Sequence, residues 1–230
     1  MFLQRNYTVI KGDNMDGLGL LKNIQEFNLI LSEIPEIISG TWERSVEKRV
    51  KIAKGLLAID GAIALAVSNS RVGSLEKIMN KWFGKENHII SYVMDEETLL
   101  IYGENSSRNQ EKIQLFKERI QFMNRYDLKR EKRWKESNVS NTSFLKEIVQ
   151  SFTPEDGTVL DMYADKGMVG ISIWELNHEK NSQRRFTLLN HEVQRDSTKQ
   201  FYPLLMKQSL IYETPFDYLV LEKKEETLAI

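Results

Sequence analysis

Two groups of polar residues, each at the end of an apolar run, are the places in this sequence where chemistry could sit. The first follows Thr158–Leu160: Asp161, then Tyr163, Ala164, Asp165, Gly167 and Gly170 ahead of a helical pattern. A strand that ends on a carboxylate and turns through glycine into a helix brings backbone N–H groups and a helix N-terminus to one point. Nucleotide-type α/β folds hold their cofactor at such a junction. Glu192, beyond the next apolar run Arg185–Leu189, stands where these folds grip ribose hydroxyls. Taken alone, the same residues fit an ordinary tight strand-to-helix turn. The second group is Glu33, Pro35 and Glu36, which follow the apolar run Phe27–Ser32. Read alone, it is a plain strand-to-loop junction. There is no cysteine, which excludes a thiol nucleophile, a disulfide scaffold and thiolate metal sites, and the three histidines have no metal-ligand spacing. No metal is expected.

The elements that must position these groups alternate between strand and helix, the pattern of an α/β fold with a mostly parallel central sheet and helices on both faces. Phe27–Ser32 and Ala62–Val67 are short apolar runs suited to strands buried on both sides. Trp42, Val46, Val50, Ala53 and Leu57 form one stripe of an amphipathic helix, which Asp60-Gly61 is expected to end with a turn. Ser74 is expected to cap the next helix, with Leu75, Ile78, Met79 and Trp82 facing inward. His88–Met94 and Thr98–Tyr102 read as two strands around an acidic turn. The pattern then resumes with helix Phe144–Ser151, strand Thr158–Met162, helix Met168–Leu176 and strand Arg185–Leu189. A helix near Ser197–Lys207 and strand Phe216–Leu221 follow.

Between these halves the composition shifts. Lys and Arg total 32 against 33 Asp and Glu, so the chain carries a formal charge of -1. Arg108–Glu136 nevertheless holds ten basic and five acidic residues. Ile113, Phe116, Ile120 and Met123 make it a basic amphipathic helix. Lys129, Arg130, Lys132 and Arg133 are its candidate DNA-contacting residues; a solvated face is the plainer reading of the same charges. The polar stretch Ser137–Ser143 reads as a joint. No apolar run is long enough for a membrane span and no leader pattern appears, so a cytoplasmic chain with no membrane partner is expected.

Local wording adds a resemblance. Gly12-Asp13-Asn14 before a helix, the segment Leu31–Glu36, the Arg49–Val67 helix and strand, Leu75–Asn87, the Asp95–Asn105 hairpin, Thr158–Asn177 and the closing Pro215–Leu221 occur in the order found in β-class DNA amino-methyltransferases. The sequence most resembles the modification subunits of type III restriction systems, over most of its length and with a large middle piece missing. The resemblance implies an S-adenosylmethionine methyltransferase fold, with residues 1–105 as the catalytic half and 143–230 as the cofactor half. Residues 106–142 would replace a target-recognition domain. It implies adenine-N6 or cytosine-N4 methylation as the family chemistry, with Asp161, Tyr163, Gly167 and Glu192 toward the cofactor and Glu33, Pro35 and Glu36 at the catalytic tetrapeptide.

The departures lie at the chemical loops. The family tetrapeptide is Asp, Asn or Ser, then Pro, Pro and an aromatic that stacks on the flipped base. Here it is Glu33-Ile34-Pro35-Glu36, without the aromatic. The cofactor loop's first glycine is Asp165, which tolerates left-handed backbone better than most residues but adds a charge. The family's Lys-Pro is replaced by Thr142-Ser143. The expectation is therefore a catalytically inactive subunit with weak or no S-adenosylmethionine binding. Its partners would be a full-length DNA methyltransferase subunit, or itself, and duplex DNA. The alternatives are an active small amino-methyltransferase using Glu33, and an interaction module that regulates a modification complex without touching DNA.

Overall fold

Strand β1 (Tyr7–Lys11), helix α1 (Asn14–Leu21), β2 (Phe27–Glu33), α2 (Trp42–Lys54), β3 (Leu57–Ser68), α3 (Val72–Phe83), β4 (His88–Val93) and β5 (Glu97–Gly103) make up the first part of the chain. Helix α4 (Gln110–Tyr126) leads to α5 (Thr142–Phe152), β6 (Thr158–Asp161), α6 (Met168–Lys180), β7 (Arg185–Asn190), α7 (Thr198–Ile211) and β8 (Asp217–Val220). The computed structural model describes residues 6–22, 26–36, 38, 40–94, 96–104, 110–126, 142–190 and 198–221, without the side chains of 120–126 and 198–202.

The strands form one sheet in the order β4-β5-β3-β2-β6-β7-β1-β8. All neighbours pair in parallel except β5, which runs antiparallel to both β3 and β4. Strands from both halves of the sequence are thus interleaved: β6 and β7 lie between β2 and β1. The apolar run of β2 supplies both faces. Leu29 and Leu31 join a core with Phe116, Phe144, Ile148, Trp174 and Leu205 from α4–α7. Ile30 points the other way, to a core with Leu18, Val46, Val50, Leu75 and Met79 from α1–α3. Alternate side chains of a strand face opposite sides, so an uninterrupted apolar strand requires helices on both.

Several boundaries differ from the sequence reading. Strand β1 is absent from that reading; its five residues are short, and it is fixed by parallel pairing on both sides, to β7 and β8. Asp60-Gly61 is no helix-ending turn. Helix α2 stops at Lys54, Leu57 opens β3, and the pair lies inside that strand. The β2–β3 register jumps from Phe27↔Leu57 to Leu29↔Ala62, so the extra residues of β3 bulge out. A Cβ at Gly61 would stand 2.9 Å from the Ala58 carbonyl oxygen and 3.0 Å from that of Phe27, which is why glycine occupies this bulge. Ser74 does not cap α3, which begins at Val72; its hydroxyl instead donates to Glu43 of α2 at 3.1 Å. Thr142 and Ser143, expected in a joint, are the first turn of α5, where the Thr142 hydroxyl donates to the Glu175 carboxylate of α6. Ile113 and Phe116 of α4 are buried as the stripe requires. The side chains of Ile120 and Met123, and residues 127–141 altogether, lie outside the described residues.

Candidate functional site

The parallel register of β2 and β6 brings the two sequence groups to one edge. Glu33 is the last residue of β2 and Asp161 the last of β6, and these strands are direct neighbours. Tyr163 and Gly167 lie in the turn that follows β6. Gly167 has a left-handed φ of 71° and forms the N-cap of α6, a conformation that favours glycine. Asp165 does not share it: among the described residues only Asn181 and Glu213 have positive φ without being glycine. The turn therefore forms without backbone strain at Asp165, and the substitution adds only a side chain and an exposed charge.

The turn is held from three directions. Met162 N–H donates to Ser32 Oγ at 2.8 Å, and Met162 C=O accepts from Asn14 Nδ2 at 3.1 Å. Tyr163 N–H donates to Asp161 Oδ1 at 3.0 Å. Ala164 N–H donates to the Leu189 carbonyl at 3.0 Å, and Ala164 C=O accepts from Asn190 Nδ2 at 2.7 Å. Asn14 is itself fixed by Arg49 of α2, whose Nε donates to Asn14 Oδ1 at 2.8 Å. Every backbone polar group named here has a partner in a different element or in the strand end itself, so the turn is preorganised to present Asp161 and the N-terminus of α6.

Asp161 is buried, and desolvation raises its pKa from 3.8 to about 7. The Tyr163 amide and the Ser32 hydroxyl pull it down less than burial lifts it, while Asp165 raises it further. A buried carboxyl at this edge is thus poised near neutrality, and a cationic ligand group beside it would favour its charged form. Tyr163 is pushed up to about 12 by burial, which outweighs the opposing influence of Arg49 and Asn14. It is a neutral phenol.

At the end of β2 the strand runs to Glu33, and the described part of the loop beyond it, Ile34–Glu36 and Ile38, carries no aromatic residue. Ile34 is buried and donates its N–H to the Ala66 carbonyl at 2.8 Å, whereas Glu36 is exposed. The aromatic nearest in sequence, Trp42, is 5% exposed; its indole N–H is committed to the Pro35 carbonyl at 3.0 Å and its ring lies under the Arg71 guanidinium at 5.2 Å. It braces the loop and has no free face for a base. Glu192 and Lys129, Arg130, Lys132 and Arg133 lie outside the described residues. Among the described residues no group of three His, Cys, Asp or Glu could hold a metal, and no helix is long and apolar enough to cross a membrane.

Sequence reasoning missed the residues that hold the turn as such: Ser32, Asn14, Arg49 and Asn190. Polar side chains at the ends of apolar runs, as in Phe27–Ser32 and Arg185–Asn190, were the available signal.

The strand order, with β5 inserted antiparallel between β3 and β4, and the meeting of both loops at one edge are those of the S-adenosylmethionine-dependent methyltransferase fold. Solved DNA methyltransferases share it. TTHA0409 of Thermus thermophilus, a candidate DNA modification methylase, superposes with a TM-score of 0.61 at 13% identity, covering 94% of this chain and 100% of that one. M1.HpyAVI gives 0.57 at 12% identity over 87% and 99% of the two chains. The cytosine-N4-specific PvuII DNA methyltransferase gives 0.53 at 10%, over 94% and 98%. Both TTHA0409 and M1.HpyAVI have also been solved with S-adenosylmethionine. At such identities the likeness establishes the fold. These chains are matched over essentially their whole length. No protein-family model and no curated protein matches the sequence.

Proposed function

We propose that this protein is a DNA methyltransferase-like subunit that retains the family scaffold and a cofactor-type pocket but does not transfer methyl groups, acting as an accessory partner of a DNA modification complex. The observation that carries the reading is the end of β2. Amino-group methylation of a flipped base needs a stacking aromatic beside the polar acceptor, worth about 1–3 kcal/mol per base. Here Glu36 is exposed at that position and Trp42 is buried in structural contacts. Meanwhile the N–H groups of Met162, Tyr163 and Ala164 in the turn after β6 keep hydrogen-bond partners, which argues that the turn still holds the conformation a ligand would meet. Placement of both reactants within attack distance is the larger part of such catalysis, so loss of one side suffices to remove it.

DNA is the partner this scaffold favours, with Lys129, Arg130, Lys132 and Arg133 as the residues to supply phosphate contacts. S-adenosylmethionine is the ligand the pocket favours, held weakly because Asp165 and Thr142-Ser143 replace the family residues. Titration calorimetry with S-adenosylmethionine and anisotropy with duplex DNA test both parts. Binding of the cofactor in the millimolar range together with salt-sensitive DNA binding supports the reading. Micromolar cofactor binding revives the active-enzyme alternative, and absence of DNA binding at low salt favours an interaction module.

A further inference from the structure

The outer face of α2 carries cations that the fold leaves without carboxylates. Residues 41–87, which span α2, β3 and α3, hold nine basic and five acidic residues in a chain of net charge -1. Arg44, Lys48 and Lys51 recur at four- and three-residue steps, so they share one side of α2, and all three are exposed. On an isolated helix Glu47 would pair with Lys51, four positions on. In the fold the two acids of α2 turn to α3 instead. Glu43 takes the Arg71 guanidinium at 3.3 Å and the Ser74 hydroxyl at 3.1 Å. Glu47 takes the Lys81 ammonium and accepts from the Trp82 indole N–H at 3.3 Å. Lys51 lies over the Trp82 ring, 5.3 Å from its centre, a contact that positions an ammonium without cancelling its charge. Among the described residues Arg44, Lys48 and Lys51 make no ion pair. Lys77 and Lys85 are exposed on the α3 side, but Glu76 and Glu86 are exposed beside them, so the excess charge belongs to α2.

We propose that this face is a track for the phosphate backbone of double-stranded DNA, with Arg44, Lys48 and Lys51 each taking a phosphate. The inference rests on the proposed DNA partnership and adds to it a surface separate from Lys129, Arg130, Lys132 and Arg133. Like charges one turn apart on a helix repel, and an extended anion laid along them relieves that repulsion. Arg44 to Lys51 cover about 10 Å of helix, a length over which one strand of a duplex presents about three phosphates. That match favours a nucleic-acid backbone over an acidic protein surface. Helix α2 connects the parallel strands β2 and β3, so the row begins at the sheet edge that carries Glu33 and Asp161 and runs away from it. Contacts of this kind hold and orient a duplex without reading its bases.

Fluorescence anisotropy of the full chain on a short duplex of mixed sequence, between about 50 and 200 mM salt, gives the slope of log affinity against log salt. Each lost phosphate contact reduces that slope by about 0.9, so Arg44→Gln/Lys48→Gln/Lys51→Gln should lie about 2 to 3 below wild type. The three single variants, each lower by about 0.9, report the same on chains with only one exposed side chain changed. Lys48→Arg/Lys51→Arg keeps both charges and should match wild type. A second set replaces Lys129, Arg130, Lys132 and Arg133 by Gln. If only that set flattens the slope, the track on α2 is overturned and the DNA partnership stands. Displacement of the duplex by soluble polyglutamate as readily as by unlabelled duplex of equal charge also overturns the track, and makes the face a docking surface for an acidic protein. If wild type binds no duplex at low salt, the track and the DNA partnership fall together.

Discussion

The ionisation of Asp161 offers a quantitative handle on the turn after β6. Its carboxyl titrates near 3.8 in the unfolded chain and near 7 in the folded one, because burial disfavours the charge. Between those values the native state holds a proton that the unfolded state has released. Its stabilising contribution is therefore complete below the unfolded pKa, declines as pH rises through the window, and is gone above about 7. At about 1.36 kcal/mol per unit the full span amounts to roughly 4 kcal/mol, of which about 2 to 3 kcal/mol fall between about pH 5 and pH 8. Asp161→Asn removes the titration while leaving an oxygen for the Tyr163 N–H. Urea denaturation of the two proteins should show the variant gaining on wild type by that amount as pH is raised across the window. A stability difference that does not change with pH would mean that Asp161 ionises normally, and the picture of a pocket poised to receive a cation would be wrong. The same linkage requires a ligand with a sulfonium or ammonium group beside Asp161 to bind more tightly as pH rises through about 7.

Ser32→Ala leaves the buried Met162 N–H without its acceptor, at a cost of about 1–3 kcal/mol, and should move the Asp161 pH window upward; both follow from the same denaturation series. Trp42→Phe deletes the indole donor to Pro35 and should cost about 1 kcal/mol, read as a lowered urea midpoint. Reversing Lys129, Arg130, Lys132 and Arg133 to Glu should flatten the salt dependence of duplex DNA binding between about 50 and 200 mM. An unchanged slope would remove these residues from the DNA contact.

Most of the architecture was legible because buried parallel strands write themselves as unbroken apolar runs: Phe27–Ser32, Ala62–Val67 and Arg185–Leu189 all lie in the sheet. What was not legible depended on contacts between distant segments. Tyr7–Lys11 is a strand because two partners flank it, and Asp60-Gly61 passes for a turn locally while the pairing with β2 and β5 carries β3 through it. The position of the site could be read, since an acid-ended strand followed by glycine has a local signature. Its support could not: Asn14 and Arg49 are 35 positions apart, Asn14 and Met162 are 148 apart, and no local pattern joins them. Arg49 in particular reads in sequence as one more polar position near the apolar stripe of α2, yet the fold buries it.

A methyltransferase scaffold that persists without methyl transfer is the core of the proposed function. Incubating the purified chain with S-adenosylmethionine labelled in its methyl group and duplex DNA of varied sequence tests it most directly. No label should enter the DNA above the level of a protein-free control. Reproducible incorporation that disappears in Glu33→Ala would contradict the account and make the protein an active small DNA amino-methyltransferase.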